Sequence, residues 1–148
     1  MEIRTGERAD LDRLVEGNEA MAWETESLRL NPSVLRSGVA AALSGQRAAR
    51  YLVAVEGDEI IGQLMLTTEW SDWRDAEVWW IQSVYVWPAA RGRGVYRALA
   101  AAAAEEAQAA GAAGLRLYVD VRNTAAQQVY TRLGMIGDHY RVFEQMFR

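Results

Sequence analysis

One stretch restricts the fold of this chain more than any other: Val84-Tyr85-Val86-Trp87-Pro88-Ala89-Ala90-Arg91-Gly92-Arg93-Gly94-Val95-Tyr96-Arg97-Ala98-Leu99. It reads as an apolar strand, a proline-marked exit, a glycine-interrupted basic loop and the start of an alanine-rich helix. Glycine at 92 and 94 lets backbone approach a ligand closely, and the first turn of a helix leaves N–H groups without intrahelical acceptors. The helix dipole favours a negative ligand there. Arg91 and Arg93 add forked donors that suit phosphate oxygens. Taken alone, the segment is also compatible with an ordinary tight turn flanked by solvated arginines.

The elements around it follow a mixed order. Met1 to Thr5 reads as a short strand and Glu7 to about Trp23 as an amphipathic helix, with Leu11, Leu14, Val15 and Met21 near helical spacing. Asn31-Pro32-Ser33 starts a second helix that reaches about Leu43, with Asn31 as N-cap and proline at the first position. Strands at Arg50 to Val55 and Ile60 to Thr67 flank the hairpin signal Glu56-Gly57-Asp58-Glu59. A third strand, about Glu77 to Val86, carries large apolar residues on both parities, as expected of a central strand covered on both faces. The helix after the glycine loop runs to Ala110 and is ended by Gly111 and Gly114. A strand at Leu115 to Val119, a helix at Thr124 to Leu133 and a last strand from about Tyr140 to Phe147 complete an α/β pattern.

Composition narrows the chemistry. A chain of 148 residues without a linker or a composition break is expected to form one domain, 1–148. A formal charge of −4 argues against broad nucleic-acid binding, and the arginine cluster at 91, 93 and 97 suits a small anion better than a polymer. With no cysteine there is neither a thiolate nucleophile nor a cysteine zinc site, and with His139 as the only histidine a two-histidine metal site is ruled out. All 16 basic residues are arginine, which removes a lysine Schiff base. No metal site is expected. Neither an 18-residue apolar run nor a basic-then-apolar leader occurs, so the expectation is a cytoplasmic protein with no membrane partner.

A second segment, Asn123 through Met135, changes the weight given to the first. Arg91-Gly92-Arg93-Gly94 resembles the pyrophosphate loop (R/Q-x-x-G-x-G/A) of the GCN5-related N-acetyltransferases, and Asn123 to Met135 is similar to that family's N-x-x-A-x-x-x-Y-x-x-x-G-F segment. The family's final Gly/Ala falls on Tyr96 here. The resemblance implies a mainly antiparallel central sheet with one splayed parallel strand pair and helices on both faces. It further implies acetyl-CoA as co-substrate. The strand Ile81 to Val86 would be bulged and would part from Leu115 to Val119, leaving the main chain of Val84, Tyr85 and Val86 to pair with the pantetheine arm as an added strand does. Arg91 to Arg97, through Gly92, Arg93, Gly94, Val95 and Tyr96, would hold the pyrophosphate. Asn123 would bond the pantetheine. Tyr130 would stand beside the sulfur as the acid for the leaving thiolate, because a phenol with an ordinary pKa near 10 stays protonated at neutral pH. A main-chain N–H near Val84 would stabilise the oxyanion formed when an amine attacks.

Each residue also has a plainer reading. Tyr130 suits a helix core position, Asn123 suits an N-cap, and Gln82 and Ser83 are equally compatible with facing the acetyl group or with bonding nearby backbone. On the acceptor side, Glu24 and Glu26 beside Trp23 suit a cationic amine, although residues two apart on a helix face different ways. Trp70 and Trp73, interleaved with Glu69, Asp72 and Asp75, offer the same chemistry. Hairpin tryptophans also make dimer contacts, which makes a homodimer a second expectation for that loop. The expected activity is acetyl transfer to an amine of a small molecule or peptide. The competing class is a degenerate domain that senses acyl-CoA without turnover.

Overall fold

The computed structural model describes residues Met1–Arg148 and divides them into two units, Met1–Arg116 and Leu117–Arg148. The first unit holds β1 (Glu2–Thr5), a 3-10 turn at Arg8–Asp10, α1 (Leu11–Glu26) and α2 (Pro32–Leu43). These are followed by β2 (Ala49–Glu56), β3 (Glu59–Ser71), β4 (Ala76–Val86), a 3-10 turn at Pro88–Ala90 and α3 (Val95–Ala109). β5 (Gly114–Leu117) closes the sheet, whose order is β1-β2-β3-β4-β5. The first four strands pair antiparallel and β5 lies parallel to β4, which gives the mixed α/β sheet expected.

The alternation along β2 explains the layers. Tyr51 and Val53 face Leu14 of α1 and Val39 and Ala42 of α2, forming one buried cluster with Ile60. Leu52 and Ala54 point to the other face, where α3 packs through Val95, Leu99, Ala103 and Ala107, all buried. Gly62 belongs to this second face, and a Cβ built on it would stand 2.6 Å from Val95 Cγ1 and 3.2 Å from Leu99 Cδ1. The bare strand at Gly62 is therefore what lets the first turn of α3 lie so close to β3.

On the α1 face the core contains a polar insert. Gln63 is 1% exposed, and its Nε2 donates to the Leu14 carbonyl at 3.3 Å. Its Oε1 fills the place a side chain on Gly17 would take, 2.2 Å from where that Cβ would be. Nearby, Asn18 Nδ2 donates to the Leu14 carbonyl at 2.9 Å and to the Tyr51 hydroxyl at 3.2 Å, whereas the buried Gln63 Oε1 has no hydrogen-bond partner.

The expected elements are present with shifted ends. Asn31 caps α2 as anticipated, its Oδ1 accepting from the N–H groups of Ser33 and Val34. α1 starts later and ends later than the expected Glu7 to Trp23, because Arg8–Asp10 is wound as a tighter turn held by the Glu7 N–H donating to Asp10 Oδ2. β5 is shorter than Leu115 to Val119.

The last strand, expected from Tyr140 to Phe147, is not formed: residues 138–148 are exposed and belong to no sheet. Alternation of the kind seen in Tyr140, Val142, Phe143 and Phe147 expresses suitability for a sheet face, but a strand exists only where a neighbour supplies ladder partners.

β4 carries a bulge. Met65 pairs with Ser83 and Leu66 with Ile81, so Gln82 is an extra residue. The inserted residue switches parity: Ile81 and Val84 both face the α3 side, while Ser83 and Tyr85 face α1. Both parities of β4 are apolar for two reasons, coverage on both faces and this switch.

The second unit contains α4 (Thr124–Arg132), preceded by a turn at residues 120–123. Asp120 Oδ1 accepts from the Arg122 main-chain N–H and from Arg122 Nε, and Arg122 Nη2 reaches Asp120 Oδ2 at 2.6 Å. That forked contact holds the Asp120 carboxyl far below the usual carboxylate range. Gln127 Nε2 donates back to the carbonyls of Asp120 and Val121.

Candidate active site

The glycine loop has the geometry its sequence suggests. Gly92 and Gly94 sit in the left-handed region at φ +74° and +80°, and a Cβ on either would point into open space. Gly94 is the N-cap of α3 and has no side chain to cap it, while the first helical bond runs from the Ala98 N–H to the Gly94 carbonyl. The N–H groups of Val95, Tyr96 and Arg97 therefore precede the hydrogen-bonded ladder. Val95 is itself buried against the sheet, so only its main chain is available to a ligand. The Tyr96 hydroxyl is withdrawn from solvent, whereas Arg97 is exposed.

Both loop arginines hold carboxylates. Arg91 Nη2 contacts Glu24 Oε2 at 2.6 Å and its Nε donates to the Val86 carbonyl at 2.9 Å. Glu24 Oε1 in turn accepts from the Tyr85 hydroxyl at 2.8 Å. Arg91, with help from Tyr85, holds the Glu24 carboxyl below its ordinary range, while burial and the adjacent Glu24 push the Tyr85 phenol up. Arg93 Nη2 meets both oxygens of Glu56 at 2.9 and 2.6 Å, which lowers the Glu56 carboxyl. Behind them Tyr85 lies edge-on to Trp87 at 5.1 Å, and the Arg13 guanidinium covers Trp87 at 3.8 Å. A cleft of about 160 Å³ lies beside Arg93, lined by Glu56, Glu59, Ile61 and Trp87 among others. It is smaller than the usual 300–1,000 Å³ of a small-molecule pocket.

β4 continues beyond its bulge to Val86. Ala113 N–H donates to the Glu77 carbonyl at 2.8 Å, which sets β5 beside the first half of β4, and β5 stops at Leu117 while β4 continues to Val86. The segment Val84, Tyr85, Val86 therefore runs on after its parallel neighbour has ended. Gln82, the bulge residue, donates through Nε2 to the side-chain hydroxyl of Thr67, Oγ1, at 2.8 Å, rather than to nearby backbone.

The acceptor candidates fall in separate places. Glu24 faces the loop. Glu26, two residues on in the same continuous helix, is exposed and faces elsewhere. Trp70 and Trp73 are exposed near the tip of the β3–β4 hairpin, Trp73 at 90%. Glu69, in that same stretch, is engaged by Trp80 Nε1 at 2.6 Å and by Arg116. In the second unit, Asn123 caps α4, its Oδ1 accepting from the Ala126 N–H at 3.1 Å, and half-buried Tyr130 lies two turns further along that helix. The Glu24–Tyr85–Arg91 cluster escaped the sequence reading because its members lie as far as 67 residues apart and no spacing rule connects them.

A strand, an open glycine loop and a helix start with no side-chain cap follow one another in a mixed α/β sheet protein. Residues 18–135 match the acetyltransferase (GNAT) family, and the chain belongs to that family. It is similar over its whole length to a possible acetyltransferase from Clostridium difficile 630, with 36% identity, TM-score 0.91, and coverage of 99% of this chain and 97% of that one. A mycothiol acetyltransferase from Gordonia bronchialis is 40% identical over 70 residues, which are 47% of this chain; the match spans 23% of that relative's length. The fold is shared with AAC(6')-Iy in complex with a CoA-containing bisubstrate analog, at 18% identity and TM-score 0.81, covering 98% and 97% of the two chains.

Proposed function

We propose that residues 1–148 act as one cytoplasmic N-acetyltransferase domain that moves an acetyl group from acetyl-CoA directly to the amine of a small molecule or peptide. The observation that carries this is the loop: open left-handed glycines and an uncapped helix start stand at the end of a bulged strand that outruns its parallel neighbour. A cradle with free space, N–H donors and two guanidinium groups fits a pyrophosphate. Bound acetyl-CoA supplies an activated acyl group on sulfur.

The chain's own residues divide the remaining work. The main chain of Val84 to Val86 aligns the pantetheine arm, Asn123 is assigned to bond it, and the loop from Arg91 to Arg97 anchors the phosphates. Tyr130 holds a proton on its Oη for the departing sulfur, and a water chain carries the proton lost by the amine. Glu24, beside Tyr85, is the best-placed carboxylate to receive a cationic acceptor; Glu26, Trp70, Trp73 and Gln82 are secondary. The relatives named above include proteins described by mycothiol and by an acetylneamine analog, which supports a small-molecule amine as acceptor.

A panel of amines assayed for acetyl-CoA-dependent thiol release tests the reading. Turnover with at least one amine is expected. Binding of acetyl-CoA without release across the panel would favour a sensor.

A further inference from the structure

The two loop arginines already hold anions that belong to the protein. Arg91 is held by Glu24, which comes from the end of α1, and Arg93 by Glu56, which comes from the end of β2. All four side chains are substantially solvent-accessible, so these pairs are exchangeable rather than structural anchors. A pyrophosphate carries more charge than a carboxylate and presents more acceptor oxygens to the same fork, so it competes with both glutamates. The two displacements have different consequences. Glu56, once released, lies beside the cleft at Arg93. Glu24 keeps a second partner, because its Oε1 remains bonded to the Tyr85 hydroxyl, and Tyr85 is fixed by burial and by its ring contact with Trp87. Loss of Arg91 therefore leaves Glu24 in place with Oε2 unengaged.

Resting on the reading of the loop given above, we propose that Glu24 and Arg91 form a latch operated by the cofactor. Glu24 is neutralised by the loop arginine in the empty protein, and becomes a receptor for an ammonium group only after the CoA pyrophosphate has taken Arg91. Binding is then ordered, acetyl-CoA before amine. Linkage requires the same coupling in reverse, so an engaged cationic acceptor also tightens CoA. The device restricts the acceptor class to amines that arrive as cations. Neutralising Glu24 before loading keeps them from occupying the site unproductively.

The test uses the whole chain and two isosteric substitutions. Glu24→Gln keeps an acceptor for the Tyr85 hydroxyl and removes the charge that competes for Arg91; Glu56→Gln does the same at Arg93. Calorimetry should show CoA binding about two- to five-fold more tightly to each variant than to wild type, on the scale of an exposed ion pair. Pantetheine, which lacks the pyrophosphate, should bind all three proteins alike. In protein labelled with 13C at glutamate carboxyls, the resonance missing from Glu24→Gln identifies Glu24. It should move when CoA is added and stay still with pantetheine.

CoA binding with unchanged affinity in Glu24→Gln and an unmoved Glu24 resonance would overturn the latch while leaving the loop assignment intact. Wild-type protein that binds neither CoA nor inorganic pyrophosphate would overturn both.

Discussion

Gly62→Ala is a small change whose effect is set by one close approach. A Cβ at that position falls 2.6 Å from Val95 Cγ1, about 1 Å inside an ordinary carbon–carbon contact, and 3.2 Å from Leu99 Cδ1. Neither neighbour has an easy escape. Val95 is a β-branched residue in the first turn of α3, with little rotamer choice, and both Val95 and Leu99 are buried. Overpacking of this kind costs about 1–3 kcal/mol. Replacing a strand glycine returns about 0.5–1 kcal/mol through lower unfolded-state entropy, so the net loss should be about 1–2 kcal/mol.

Urea denaturation of wild type, Gly62→Ala, Val95→Ala and the double variant measures this. Val95→Ala alone should cost about 2 kcal/mol for its two lost methyl groups and the space left behind. In the double variant the new methyl occupies part of that space, so the combined loss should fall short of the sum by about 1–2 kcal/mol. Strict additivity, or a Gly62→Ala protein as stable as wild type, would refute the claim that Gly62 sets the depth of α3.

Arg93→Glu places a carboxylate beside Glu56 and the proposed pyrophosphate, and should weaken CoA binding by about tenfold or more in calorimetry; equal affinity would remove Arg93 from the site. Tyr130→Phe should lower turnover at saturating substrates by about 10²-fold with little change in acetyl-CoA affinity, whereas a purely structural tyrosine predicts intact turnover. Arg4 donates to both oxygens of Asp10, at 2.8 and 3.0 Å, and holds that carboxyl below its ordinary range. The associated stability, about 1 kcal/mol for this part-exposed pair, is fully present above the unfolded pKa near 4 and is lost as pH falls through the lower folded value. Melting of wild type against Asp10→Asn across pH 2–7 should show the two curves converging at the acid end.

Much of the first unit was legible because its signals are local. Asn31-Pro32 marks the start of α2, and Gly57 between two alternating runs marks a hairpin that the structure forms with Gly57 at φ +63°. The glycine loop was readable for the same reason. Gln63 was not, since a glutamine inside a strand reads as outward-facing, and only the missing side chain at Gly17, 46 positions earlier, gives it a place in the core. A bulge within Ile81 to Val86 was an expectation of family likeness, and its place at Gln82 was not legible, because an inserted residue and a doubly covered strand leave the same run of apolar residues. The end of the chain misled for the converse reason. Its alternation describes what could line a sheet, while pairing is a property of two segments, and the partner is not written in either one.

The extra residue in β4 makes that strand sensitive to length in a way it is not sensitive to identity. Ser83 to Val86 owe their facing to one inserted residue, and the loop that follows inherits the same phase. Substitutions at Gln82 can change what the bulge touches, but removing the residue would rotate everything from Ser83 onward by half a turn and draw the loop back by one strand step, about 3.3 Å. Among descendants of such a sequence, drift should be free to rewrite side chains here while leaving the residue count between Ile81 and Gly94 untouched. A library of single-residue deletions across β4, compared with a substitution library over the same positions, would display that difference as two fitness profiles with little in common.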